Sequence, residues 1–170
     1  MERKTYISDN LLSLSEYIDS EDDLDNYNCW QDDETKNGYN HNATETFEEW
    51  SRMQQTVPRF IATIVRLSDN VSIGSIFLSP ENTPPDLAIL IYKPFRKQGY
   101  GTRAFSLGIK YCFDVLHLGK IYAGCYPHNI GSMKMLEKCG FQPYPEGNRN
   151  EKHYLTGEDI TQLDFVKLNN

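Results

Sequence analysis

One stretch constrains this chain more than any other: Arg96-Lys97-Gln98-Gly99-Tyr100-Gly101-Thr102, a glycine-bearing turn between its most strand-like and most helix-like segments. Ahead of it, Leu87-Ala88-Ile89-Leu90-Ile91-Tyr92 is a nearly continuous apolar run of strand length. That is the pattern of a strand covered on both faces, and it marks the expected centre of a sheet. Behind it, residues 102–116 set Ala104, Leu107, Tyr111 and Val115 on one helical stripe and Phe105, Ile109 and Phe113 on a second, which predicts a broadly buried helix. Glycines let the backbone turn tightly and approach a ligand closely. The first turn of the following helix offers unpaired N–H groups and the positive end of its dipole. Such a junction suits a phosphate or pyrophosphate.

The remaining elements follow from periodicity. Residues 2–7 can start a strand, and residues 10–18 read as a short helix capped by Ser8, Asp9 or Asn10, with Leu11, Leu14 and Ile18 on one side. Residues 19–44, rich in Asp, Asn, Tyr and Gly and anchored by Tyr27 and Trp30, read as loop and short helix. Thr44 or Thr46 can cap a helix carrying Phe47, Trp50 and Met53. The period then changes to two: residues 60–65 and 71–77 form a hairpin about the turn Ser68-Asp69-Asn70. A strand at 121–125, a helix at 129–139 stopped by Gly140, and at least one closing strand within 154–168 complete the order. There is no internal repeat, so residues 1–170 are expected to form a single domain.

Charge is unevenly distributed. The net charge is −7, which disfavours a nucleic-acid partner because phosphate neutralisation needs a basic face. Residues 1–50 hold 3 basic and 14 acidic side chains, whereas residues 51–170 hold 14 and 10. No apolar run approaches the roughly 18 residues that span a bilayer, and residues 1–10 lack the apolar core of a leader, so no membrane partner and a cytoplasmic location are expected. Cys29, Cys112, Cys125 and Cys139 show no CxxC pairing, and His41, His117 and His153 show no ligand spacing, so buried free thiols and no metal are expected.

Among phosphate loops, the Walker pattern is absent. A dinucleotide fingerprint fits poorly, since an antiparallel hairpin precedes the loop and Tyr122 stands where an acidic residue is needed. Arg96-x-x-Gly99-x-Gly101 resembles the pyrophosphate loop of GNAT acetyltransferases. Asn129-x-x-Ser132-x-x-x-Leu136-Glu137-Lys138-x-Gly140-Phe141 resembles that superfamily's second motif. Leu116-x-Leu118-x-Lys120-Ile121-x-Ala123 and Ile73-Gly74-x-Ile76-x-Leu78 look like the ribosomal-protein-alanine N-acetyltransferase branch. The resemblance runs from Phe60 onward. It implies an α/β (α+β) GNAT fold: a mixed, largely antiparallel sheet of about seven strands flanked by helices, with a splayed central strand holding acetyl-CoA.

By the same resemblance, the amides of Lys97, Gln98, Gly99, Tyr100, Gly101 and Thr102 cradle the pyrophosphate, with Arg96 and Lys97 adding charge. The backbone of Ile89, Leu90 and Ile91 pairs with the pantetheine arm, and Asn129 and Ser132 contact it. Asp86, where relatives carry a carboxylate at the start of the central strand, is the expected base, and a plain turn aspartate after Pro84-Pro85 is its rival reading. The family's tyrosine acid, seven residues after the asparagine, is replaced by Leu136. Residues 1–56 are expected on the acceptor side, with Trp30, Asp32, Asp33 and Glu34 facing it, and residues 57–170 form the acetyl-CoA-binding core. The implied reaction moves acetyl from acetyl-CoA, a cosubstrate, directly to a primary amine, cationic in many relatives: a peptide or protein N-terminus, a polyamine or an aminoglycoside. An α-amine with pKa about 8 costs only roughly 1 kcal/mol to deprotonate near neutrality, against over 4 for a lysine amine. A non-catalytic acyl-CoA-binding or sensing module is the alternative, and a homodimer is compatible with either.

Overall fold

The computed structural model describes residues 2–54 and 56–170; Met1 and Gln55, which fall within the expected 1–56 segment, lie outside them. The strands fall into two groups. β1 (Thr5–Ser8), β2 (Leu12–Glu16), β3 (Phe60–Arg66), β4 (Val71–Leu78) and β5 (Leu87–Ile91) pair antiparallel in that order. β6 (Lys120–Cys125) and β7 (Gln142–Pro143) flank β9 (Asp159–Leu168), which also pairs with β8 (Arg149–Lys152). The helices are α1 (Asp19–Gln31), α2 (Asp33–Tyr39), α3 (Phe47–Met53), α4 (Tyr100–Asp114) and α5 (Ile130–Lys138). The mixed, largely antiparallel architecture agrees with expectation, with 5 and 4 strands in place of about seven.

Three expectations are corrected. The segment 10–18 holds strand β2 in place of a helix, because Leu12 and Leu14 alternate with Ser13 and Ser15 and pair with β3. The segment 19–44, expected as loop and short helix, is mostly helical, forming α1 and α2. The apolar run at 87–92 lies at the edge of the five-stranded group rather than at the centre of a continuous sheet. Between β5 and β6 there is one parallel bridge, Asp86 to Tyr122, with the Tyr122 N–H donating to the Pro85 carbonyl at 2.8 Å. Beyond that bridge the strands part.

Alternation gives each face of the five-stranded group its own character. Leu12, Leu14, Ala62, Ile64, Ile76 and Leu78 pack with Phe105, Ala104 and Leu107 of α4 in the main core. A side chain of this size contributes about 1.5–3 kcal/mol when fully buried. The face toward α1 carries buried polar pairs beside a small apolar cluster of Cys29, Leu90 and Tyr92. Ser75 donates to Asn26 at 2.7 Å, and Thr63 donates to Asp22 at 2.8 Å. Asp22, 1% exposed, also accepts from the Ile18 amide at 2.7 Å and from both terminal nitrogens of Arg3 at 2.5 and 3.0 Å. Removing one partner from a buried, fully bonded ion pair leaves the other uncompensated. Asp22→Ala is therefore expected to lower the unfolding free energy by about 3–5 kcal/mol, read as a reduced denaturant midpoint at unchanged slope.

α2 is fixed at both ends. Asp32 caps it, accepting from the Thr35 amide at 3.0 Å. After its last residue, Asn40 turns left-handed (φ 51°), donates to the Lys152 carbonyl at 2.9 Å and accepts from the Tyr154 amide at 2.8 Å. α3 begins with a reciprocal capping box between Thr46 and Glu49, as the Thr46 alternative predicts.

Candidate functional site

The parting of β5 from β6 opens two cavities. The smaller, about 530 Å³, lies over the start of α4 and is lined by Lys97, Gly99, Gly101 and Thr102. Gly99 adopts φ 84°, a conformation that glycine accepts without strain, and no side chain caps the helix there. The first-turn amides of Tyr100, Gly101 and Thr102 have no acceptor within the helix, and the dipole adds positive potential. Lys97, also left-handed at φ 59°, lines the same cavity. This cradle fits an anion.

Side chains of the loop have separate partners. Gln98 donates to the Pro94 carbonyl at 3.0 Å, and the Tyr100 ring stands beside the Arg66 guanidinium, 6.0 Å from ring centroid to Cζ. The Arg96 guanidinium faces α1 and α2. It donates to both oxygens of Asp32 at 3.0 and 2.8 Å, to Glu34 at 3.3 Å and to the Thr35 hydroxyl at 2.8 Å, while its Nε donates to the Ile91 carbonyl at 2.8 Å. Burial works against the Asp32 carboxylate, but the hydrogen bonds from Arg96 and Thr35 prevail and hold it below the usual carboxylate range. Asp32 is thus engaged within the fold, whereas Trp30 lines the larger cavity.

Ladder geometry determines which groups of β5 face the gap. The Tyr92 amide donates to Ile73 and the Ser79 amide donates to Asp86. Alternation then turns the main chain of Leu90 toward β4 and that of Ile89 and Ile91 toward the gap. Asn129 caps α5, accepting from the Ser132 amide at 3.2 Å, and Asn129, Ser132, Ile89 and Tyr39 line both cavities. The two spaces therefore meet at these residues.

The larger cavity, about 830 Å³, carries Asp86, Asp164 and Arg149 among the rings of Trp30, Tyr122 and Tyr144. Burial, reinforced by the Asp164 carboxylate and opposed by Arg149, pushes the Asp86 carboxyl up to about 7. Asp164 is itself raised by burial, against the hydrogen bond from its neighbour Phe165 and the charge of Arg149. Gly147 makes room for it: a Cβ there would stand 2.0 Å from Asp164 Oδ2. Leu136 is 2% exposed within the main core. Tyr39 and Asp164 were missed in the sequence, because neither belongs to a local motif and each reaches the site through distant pairing.

Residues 13–142 match the family described as acetyltransferase (GNAT) domain. The probable N-acetyltransferase YjcK of Bacillus subtilis (strain 168) is 33% identical over 107 residues, 63% of this chain. That match spans only 59% of the relative's length. Among solved structures, the fold is similar to a spermidine N-acetyltransferase from Vibrio cholerae in complex with CoA and spermine (TM-score 0.80, 18% identity, 94% of this chain and 96% of that one). It is also similar to a ribosomal-protein-S5-alanine acetyltransferase from Vibrio fischeri (TM-score 0.73, 18% identity, 96% of each chain).

Proposed function

The chain belongs to the GNAT acetyltransferase family, and on that premise we propose that it transfers an acetyl group from acetyl-CoA, consumed as substrate, to a primary amine. One observation carries this reading: an uncapped helix start opens into a cavity that meets, at the parted edge of β5, a second cavity holding a carboxyl poised near neutrality. In the proposal the amides of residues 97–102 and the Lys97 ammonium hold the pyrophosphate. Several donors must act together, since one exposed helix terminus contributes only about 0.3–1 kcal/mol per anion. Arg96 acts by fixing the loop to α1 and α2. The main chain of Ile89 and Ile91 pairs with the pantetheine arm, Leu90 supports the strand from behind, and Asn129 and Ser132 border the arm at the start of α5.

Asp86 takes a proton from the amine. A carboxyl with pKa near 7 is half ionised at neutral pH, and its conjugate acid is weak enough to hold the proton it receives. The aromatic walls and the two carboxyls suit a cationic acceptor, as polyamines and peptide α-amines are. Residues 1–56 form the acceptor side and 57–170 the acetyl-CoA core within one domain. Four buried free thiols accord with a reducing compartment, and the reaction is set in the cytoplasm. Leu136, which has no proton to donate, favours a second reading as an acyl-CoA sensor.

Calorimetry with acetyl-CoA, followed by thiol release across α-amino peptides, polyamines and aminoglycosides, tests the proposal. Binding with release for at least one amine class is expected. Binding without release throughout supports the sensor, and no binding removes both readings.

A further inference from the structure

Leu136 puts an apolar side chain where the resemblance expects a phenol, yet a phenol arrives from α2. Tyr39, the last residue of that helix, lines both cavities. Its oxygen accepts from the Ile89 amide at 3.2 Å, and its proton goes to the Ile89 carbonyl at 2.5 Å. An extended amide chain lying along β5 would pair with those same two groups. The phenol therefore stands where a ligand's backbone belongs, and a ligand that pairs there releases it.

We infer that Tyr39 is a catalytic residue of this chain, donating a hydrogen bond to the acyl oxygen of the thioester once the pantetheine arm has taken its place on Ile89. The inference rests on the acyl-transfer reading above. Its geometry is favourable: α2 is pinned by Asp32 to Arg96 at one end and by Asn40 to β8 at the other, so the released hydroxyl remains at the junction of the two cavities. Another tyrosine on the wall of the larger cavity is engaged elsewhere, since Tyr126 donates to Glu151 at 2.5 Å. Burial raises the pKa of the Tyr39 phenol, so it keeps its proton at neutral pH. A neutral phenol serves here as a hydrogen-bond donor. In the step, the amine lone pair forms the C–N bond and the C–S pair leaves on sulfur as thiolate. The amine's proton passes to Asp86, and Tyr39 retains its own while stabilising the charge on oxygen.

Tyr39→Phe in the full chain tests this with three readouts: kcat at saturating acetyl-CoA and amine, calorimetric acetyl-CoA affinity, and thermal unfolding. The expected result is a kcat about 10²-fold lower, acetyl-CoA affinity equal or higher because Ile89 is already free, and an unfolding midpoint lowered only slightly, by loss of the two hydrogen bonds to Ile89. Wild-type kcat with tighter binding would make the phenol a plug and overturn the inference. Weaker binding with a lowered midpoint would make it a packing residue and overturn it equally. A wild-type protein that ignores acetyl-CoA would instead defeat the acyl-transfer reading itself.

Discussion

Asp86→Asn is expected to lower kcat by about 10²–10⁴-fold, the range for losing a positioned general base, with little change in acetyl-CoA affinity. In the parent protein kcat should rise with pH and level off above about 7, where the Asp86 carboxyl ionises. The variant's rate should be low and without that rise. Stability should move the other way. A carboxyl whose folded pKa lies above its ordinary value stabilises the fold fully below about pH 4, and that contribution is lost as pH rises through about 7. Asparagine carries no charge to desolvate, so the variant should gain roughly 2 kcal/mol above pH 7, less than the full shift implies because the cavity is open to water. Kinetics and denaturant unfolding on one pair of proteins check both halves. Wild-type kcat in the variant would remove Asp86 from the mechanism.

Arg96→Ala is expected to cost about 3–5 kcal/mol of folding stability, because it leaves the part-buried Asp32 carboxylate without its bidentate partner. The Ile91 carbonyl loses its donor as well. Arg96→Lys should recover little, since a point charge cannot reproduce a planar fork that serves Asp32, Thr35 and Ile91 together. Denaturant unfolding without any ligand decides it. Were Arg96 chiefly a contact to pyrophosphate, both variants would keep their stability and weaken only in acetyl-CoA titrations.

What the sequence revealed depended on how far each element's partners lie along the chain. The β3–β4 hairpin was plain, because a period of two flanks a turn in which Asn70 adopts φ 59°. The start of α4 was equally plain, since Gly99 is required by the turn itself. Residues 10–18 read as a helix on Leu11, Leu14 and Ile18; that reading overlooks the alternation of Leu12 and Leu14 with serines, and pairing with the distant β3 makes the segment a strand. α1 escaped detection because its buried residues are Asp22, Asn26 and Cys29, so apolar periodicity had nothing to register. The run at 87–92 correctly signalled two covered faces, with Leu87 in the main core and Leu90 in the second cluster. Side-chain pattern says nothing about whether both strand edges are paired, and that unpaired edge makes the site. The other motif residues are read from a resemblance, and Gly101, Asn129 and Ser132 line the smaller cavity with Gly99. Tyr39 was not legible, since its partner Ile89 is 50 positions away.

The polar layer beneath α1 has a consequence for the placement of the reacting groups. Oily surfaces tolerate sliding, whereas Asp22 on Thr63 and Asn26 on Ser75 are directional and admit a single alignment. α1 is thereby indexed to β3 and β4, and the index is handed on through its C-terminal end to Asp32 and from there to α2. In the proposed reaction, the distance from the acceptor wall to the strand that would receive the thioester is set by this vernier of two hydroxyls, a carboxylate and a carboxamide rather than by the loops at the rim.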